Sequence, residues 1–303
     1  MQNDTILALT TNLRDEKSLA VKEALHRASA VDSTILVSGE TGTGKDFWVK
    51  YFAALHPGKP FLDIHCGDVP ETLLESEWFG YKKGAFTGAD KDYDGKWKKA
   101  HKGILFLNQV DLLGLNVQSR LLRIIERKAY YPLGSTEEVS IDTQFIFSTD
   151  DRIEQKVRDG LFRADLFYRI STFRVDIPPL RERKKDIISL LEYFAKRNGL
   201  EMELDEKAVQ TLLDYLWPGN IRELENLVMS ASVQGKKLTS GDVALLIKDS
   251  SRFFDMVKES DMSLDELEKK YIEFMLEKYK NRAKVARILQ ISRKSLYNKL
   301  KES

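Results

Sequence analysis

One cysteine in 303 residues, Cys66, excludes an internal disulfide. Its neighbours carry no metal-ligand spacing, so it reads as a small buried residue. Charge of one sign is missing too. With 48 Lys and Arg against 47 Asp and Glu, the formal net charge is +1, and any basic patch must be local. No uncharged apolar run approaches the length that spans a bilayer, and the opening MQNDTILALTTNLRDEK lacks a basic-then-apolar leader pattern. Internal repeats and low-complexity tracts are absent as well. These absences exclude a membrane protein and a disulfide scaffold, and they point to the cytoplasm. What remains, 42% hydrophobic and 31% charged residues, is ordinary globular composition. There is room for one large domain with a small one, or for two to three modest domains.

The first two-thirds alternates short apolar runs with helical patterns. STILVSG (33–39), PFLDIHC (60–66), GILFLN (103–108) and TQFIFST (143–149) read as buried strands, and VQSRLLRIIER (117–127) reads as a helix between two of them. That alternation predicts a doubly wound α/β domain on a parallel sheet. From about Asp186 the strands are expected to stop. DIISLLEYFAKR, DEKAVQTLLDYL and IRELENLVMSASV read as helices, with the Pro-Gly break WPGN (217–220) between the last two. The expected division is an extension 1–12, an α/β unit 13–183, a helical unit 184–248, a linker 249–262 and a helical C-terminal unit 263–303.

GETGTGKD follows the apolar STILVS and precedes the helical FWVKYFAAL. Gly39, Glu40, Thr41, Gly42, Thr43 and Gly44 form a turn tight enough for several N–H groups to face phosphate oxygens. The next helix adds its positive end, and Lys45 reaches the outer phosphates. Asp46 stands where the usual Ser or Thr touches magnesium. A nucleotide such as ATP is the implied ligand.

Several further stretches carry a resemblance: ESEWFGYKKGAFTGAD (75–90), FRADLFYRI (162–170), PPLRERKKDI (178–187) and WPGNIRELEN (217–226). Together they resemble the AAA+ domain of bacterial sigma-54-dependent transcription activators, the enhancer-binding proteins, along nearly the whole chain. The resemblance implies an AAA+ P-loop fold with a helical lid and a ring of subunits, hexamer-like. It implies that Gly84, Ala85, Phe86, Thr87, Gly88 and Ala89 form the loop that contacts sigma-54 RNA polymerase. Arg163 and Arg169 match arginine fingers that reach a neighbouring subunit's nucleotide, a role suited to an always-charged guanidinium. Arg222 matches the second sensor, on the lid.

NRAKVARILQISRKSLYNKLKES (281–303) has seven Lys and Arg against Glu302 alone. By itself, a basic helical hairpin suits an interaction module or a core hairpin equally well. Behind such an ATPase domain it resembles a Fis-type helix-turn-helix, although Gln290 stands where the family commonly has glycine. In that reading Asn281 and Ser292 cap its helices. Arg293, Lys294, Ser295, Asn298 and Lys299 lie on the recognition helix against DNA, with the first two and Asn298 at base edges. The helix LDELEKKYIEFMLEKY before it is expected to dimerise.

In GILFLNQV (103–110) the apolar run leads into two amides, Asn108 and Gln109, where the family has Asp-Glu. The first carboxylate holds magnesium, and the second activates water. Neutral amides do neither, so hydrolysis is expected to fall while ATP still binds and Mg2+ is weakly held. The family also has Asn at His65 and at Asp150. Changes at all these places suit a natural subunit that has given up efficient hydrolysis better than a single Glu-to-Gln exchange made to trap nucleotide. Three alternatives stay open. Asp150 and His65 form a relocated pair that activates water in a fully hydrolysing activator. The chain is a non-catalytic member of a mixed ring with an active paralogue. Or it is a repressor or decoy that only binds DNA and oligomerises. Since only the extension 1–12 precedes the core, control is expected from a separate regulator protein, from expression level or from choice of partner.

Overall fold

A computed structural model of the chain describes residues 10–11, 13–68, 70–235 and 237–244, with Lys269–Glu273, Met275, Leu276, Arg282, Val285 and Leu296 as further positions. The expected linker 249–262 lies outside the described residues. So do the DNA-facing candidates Arg293, Lys294, Ser295, Asn298 and Lys299.

The main sheet has the order β2-β3-β6-β1-β7, and every neighbouring pair is parallel. Its strands are β1 (Ile35–Ser38), β2 (Phe61–His65), β3 (Gly103–Asn108), β6 (Thr143–Thr149) and β7 (Phe173–Asp176). β3 and β6 match their apolar runs, since a strand covered on both faces has no polar side to interrupt it. β2 starts after Pro60, which has no N–H to give a ladder. β7 was not predicted: its Phe-Arg-Val-Asp pattern is that of an edge strand with alternate residues in water.

Successive side chains point to opposite faces and build two cores. Ile35, Val37, Ile104, Phe106 and Ile146 pack under α1 (Glu16–Ser29) and α2 (Lys45–Ala54), and this core runs on into the lid through Leu191, Trp217 and Leu224. Leu36, Leu105, Leu107, Phe145 and Phe147 face the other way. They pack with Trp78 and Phe79 of α3 (Glu71–Phe79), with α4 (Leu115–Arg127), which buries Leu121 and Ile125, and with Leu166 and Ile170. A short antiparallel pair, β4 (Ala129–Tyr130) with β5 (Val139–Ser140), follows α4. α5 (Ile153–Arg158) and α6 (Ala164–Ile170) precede β7.

The lid contains α7 (Lys184–Arg197), α8 (Glu206–Asp214) and α9 (Asn220–Gln234). The expectation that strands stop near Asp186 is corrected here. β8 (Glu201–Glu203) pairs in parallel with β9 (Lys237–Thr239). Each has three residues with one apolar residue at its centre, Met202 or Leu238, which is too short to register as a period.

Candidate nucleotide site and its flanking loops

The phosphate loop leaves the carboxyl end of β1, where ligands of such sheets bind. Gly42 has φ +82°, and a Cβ there would lie 2.3 Å from the Gly219 carbonyl of the lid, so only glycine lets loop and lid touch. Lys45 opens α2, and its ammonium donates to the carbonyls of Gly39 at 2.6 Å and Glu40 at 3.0 Å. Burial holds its pKa below the ordinary lysine value, opposed by the nearby carboxylates of Asp150 and Asp46. Thr43 Oγ1 closes the turn on the Glu40 carbonyl at 2.8 Å.

The lid is latched onto this loop. Glu40 accepts from both ends of the Arg181 guanidinium, at 2.9 and 2.5 Å, and from Asn220 Nδ2 at 3.1 Å. Arg181 holds the Glu40 carboxyl below the usual carboxylate value. Asn220, fully buried and with φ +53°, also donates to the Thr41 carbonyl and accepts from Leu180 N–H. Ile221 N–H donates to the Gly42 carbonyl at 2.9 Å.

Between loop and lid lies a cavity of about 400 Å³. Its lining includes the polar Lys45, Asp46, His65, Asn108, Gln109 and the exposed Arg222, and the large apolar or aromatic Leu13, Trp48, Leu190 and Tyr193. That mixture of polar and apolar groups suits a ligand with phosphates and a flat base. Arg183 also lines it. Its Nη2 donates to the Thr43 carbonyl at 2.5 Å, its Nε has no partner, and burial lowers its pKa to about 10.

Asn108 and Gln109 stand at the tip of β3. Ser148 Oγ accepts from Gln109 N–H at 3.0 Å and donates to Asn108 Oδ1 at 2.6 Å, while Asn108 Nδ2 donates to Asp46 Oδ1 at 3.0 Å. Gln109 sits at φ +59°, which turns its side chain out of the strand and into the cavity wall. His65 and Asp150 flank the tip but have separate partners. His65 Nδ1 accepts from Gly67 N–H and lies 3.3 Å from Asp68, whereas Asp150 accepts from Arg152 N–H and pairs with the Arg152 guanidinium at 3.2 Å. Cys66 is buried, and its N–H donates to the Asn108 carbonyl.

The loop 84–89 is closed by Gly84 N–H on the Ala89 carbonyl at 2.9 Å. Phe86 is 45% exposed with its ring edge-on to Tyr81, Thr87 is exposed, and Ala85 rests against Gly134, where a Cβ would come within 2.7 Å. Arg163 pairs with Asp165 at 2.7 Å, and its N–H is held by buried Gln118. Arg169 is exposed at the end of α6, beside Tyr168, which is 75% exposed.

Sequence reading missed Arg181, Arg183, Asn220, Gln118 and Ser148 as site residues. Arg181, Arg183 and Asn220 lie in stretches that carried the resemblance, PPLRERKKDI and WPGNIRELEN, and were legible there. Gln118 and Ser148 had no local signal. Among the described residues no helix is long and apolar enough to cross a membrane.

Three family descriptions match the chain in succession. They are a sigma-54 interaction domain over residues 12–176, an AAA+ ATPase lid domain over 181–252, and a bacterial regulatory protein of the Fis family over 263–302. The Nif-specific regulatory protein of Azospirillum brasilense is 39% identical over 224 residues, which are 72% of this chain and 36% of that protein. A signal-transduction and transcriptional-control protein of Clostridium beijerinckii is 36% identical over 300 residues, 95% of this chain and 48% of that one. The chain thus spans about a third to a half of the length of these relatives. Among solved structures, NtrX from Brucella abortus in complex with ATP superposes with a TM-score of 0.69 at 25% identity, over 94% of this chain and 67% of that chain.

Proposed function

The chain belongs to the sigma-54-dependent transcription activators, matched in domain order from residue 12 to residue 302, and from that premise we propose that it is a cytoplasmic, DNA-binding transcription regulator that binds ATP but hydrolyses it poorly. The observation that carries the second half is the pairing of a complete phosphate loop with an amide tip. Lys45, the loop N–H groups, Arg222 and the apolar lining of the cavity are the equipment for holding a nucleotide. Asn108 and Gln109 are the wrong groups for breaking it, since neither amide accepts a proton from water. Magnesium, when bound with the nucleotide, supplies charge neutralisation at the phosphates, and Asn108 offers it only a neutral amide.

The partners in this reading are an enhancer-like DNA site for the C-terminal helices, sigma-54 RNA polymerase for the loop 84–89, and further copies of the chain in a hexamer-like ring. Phe86 and Thr87 at the loop's exposed tip suit a small apolar and hydroxyl contact. Exposed Arg169 and Tyr168, with Arg163 on the same segment, favour a second reading in which the chain joins a mixed ring and offers its arginines to an active paralogue.

Steady-state ATP turnover of the wild type beside the double variant Asn108→Asp, Gln109→Glu tests the first reading. The variant is expected to be faster by about 10²–10⁴, the usual worth of general-base help. Equal, ordinary turnover in both would sink it.

A further inference from the structure

Two carboxylates stitch the start of α1 to the start of α7, each serving the other helix. Asp186, in the first turn of α7, is fully buried. One of its oxygens accepts from Arg14 N–H at 2.7 Å and Asp15 N–H at 2.9 Å, and the other accepts from Ser18 Oγ at 2.5 Å. In return Asp15, the N-cap of α1, accepts from Lys185 N–H at 3.3 Å. Buried Arg183 is the cation beside them, and both carboxylates favour its charge. Exposed ion pairs flank the stitch, Lys17 with Glu182 at 2.6 Å and Lys185 with Glu16 at 3.0 Å.

This is more than the start of α1 requires. Asp15 already caps that helix by accepting from Lys17 N–H at 3.1 Å. The two N–H groups that Asp186 takes lie before the first helical residue, Glu16. Arg14 N–H belongs to the Leu13–Arg14 peptide, whose atoms share one plane, so holding that N–H sets how Leu13 is presented. Leu13 is 7% exposed and lines the nucleotide cavity. Leu190, Tyr193 and Arg197 line it as well, and helical spacing puts them on the same stripe of α7 as Asp186. One buried carboxylate therefore fixes two parts of the lining, its own helix and the segment that bears Leu13.

Resting on the nucleotide reading above, we infer that Asp186 is a positioning residue for the base of the bound nucleotide: by holding the Leu13–Arg14 peptide it keeps Leu13 in the lining, with Leu190 and Tyr193, as an apolar surface for a flat ring. Phosphates gain nothing from such a surface. They are served by Lys45 and the loop N–H groups, and Asp186 bonds to neither. Cutting the stitch should therefore loosen the nucleoside half of the ligand and spare the phosphate half.

Titration calorimetry of the full chain with ATP and with tripolyphosphate, both in excess Mg2+, separates the two halves. Wild type is expected to bind ATP more tightly than tripolyphosphate. Asp186→Ala should lose at least about tenfold in ATP affinity, the scale of one buried apolar side chain, and hold tripolyphosphate within about threefold. Asp186→Asn keeps an oxygen for the two N–H groups and turns an amide to Ser18 Oγ, so it should stay near wild type. A general loss of folded protein weakens both ligands together. Equal losses in Asp186→Ala, or none, therefore overturn the assignment. Leu13→Ala leaves the stitch intact and should show the same ATP-selective loss. If it keeps wild-type ATP affinity, the assignment falls even where Asp186→Ala does not fold. A wild type that holds both ligands equally also overturns it, while phosphate binding stands. A wild type that binds neither overturns the nucleotide reading itself.

Discussion

Glu40 is the residue through which the phosphate loop holds the lid, and its behaviour with pH follows from its partner. Arg181 depresses its carboxyl below the ordinary 4.5. A depressed carboxylate contributes stability above its unfolded value and loses it as pH falls through the lower folded value. Glu40→Gln removes the charge but keeps the shape. With Arg181 36% and Glu40 27% exposed, the pair is worth about 1 kcal/mol, so Tm should fall by about 2–4 °C at neutral pH. Thermal melts of wild type and variant across pH should show a gap that is constant above the carboxylate range and closes below it. A gap that persists into acid would assign the stabilisation to Asn220 alone. Glu40 was legible in the sequence as part of a phosphate loop, but its latch was not. Asn220 lies 180 positions away and Arg181 lies 141 away, and no local pattern reports such a pairing.

Among the elements, the strands visible in the sequence were the four with a short apolar run, β1, β2, β3 and β6, and the helices visible were those with a clear apolar stripe. β7, β8 and β9 escaped because an edge strand alternates and a three-residue strand has no period. The segment bearing Arg163 was legible as FRADLFYRI, but what holds it was not: it is one buried side chain on another element. Gln118 of α4 donates to the carbonyls of Leu113 at 2.7 Å and Leu161 at 3.1 Å, and accepts from Arg163 N–H at 2.8 Å. It therefore ties the connection after β3 to the start of α6. Gln118→Ala leaves three backbone groups unpaired in a buried place, so unfolding free energy should drop by roughly 1–3 kcal/mol. Urea titration measures it, and a change below a few tenths would mean that water replaces the amide. Gln118→Glu should not rescue, since a carboxylate cannot donate to the two carbonyls.

For the molecule as a whole, the proposed reading divides the labour between copies, with arginines from one and the nucleotide site of the next. Arg163 is held in its own subunit by Asp165, a pair exposed enough to open for a neighbour. In a mixed ring with an active paralogue, Arg163→Ala should reduce the partner's ATP turnover by about 10³ or more, the worth of an arginine finger. The homogeneous protein, slow in the proposed reading, should change little. Unchanged partner turnover would exclude donation through Arg163.

The central sheet separates two bodies of apolar side chains, one continuous with the lid and one with α4 and α6, while the tip of β3 belongs to neither. Asn108, Gln109 and Ser148 bond to one another, and Asn108 to Asp46, outside both apolar clusters. The fold is in that sense permissive to changes at the tip of its third strand. A lineage can silence the reaction by substitutions at a handful of rim positions and still inherit the surfaces by which the chain meets other macromolecules.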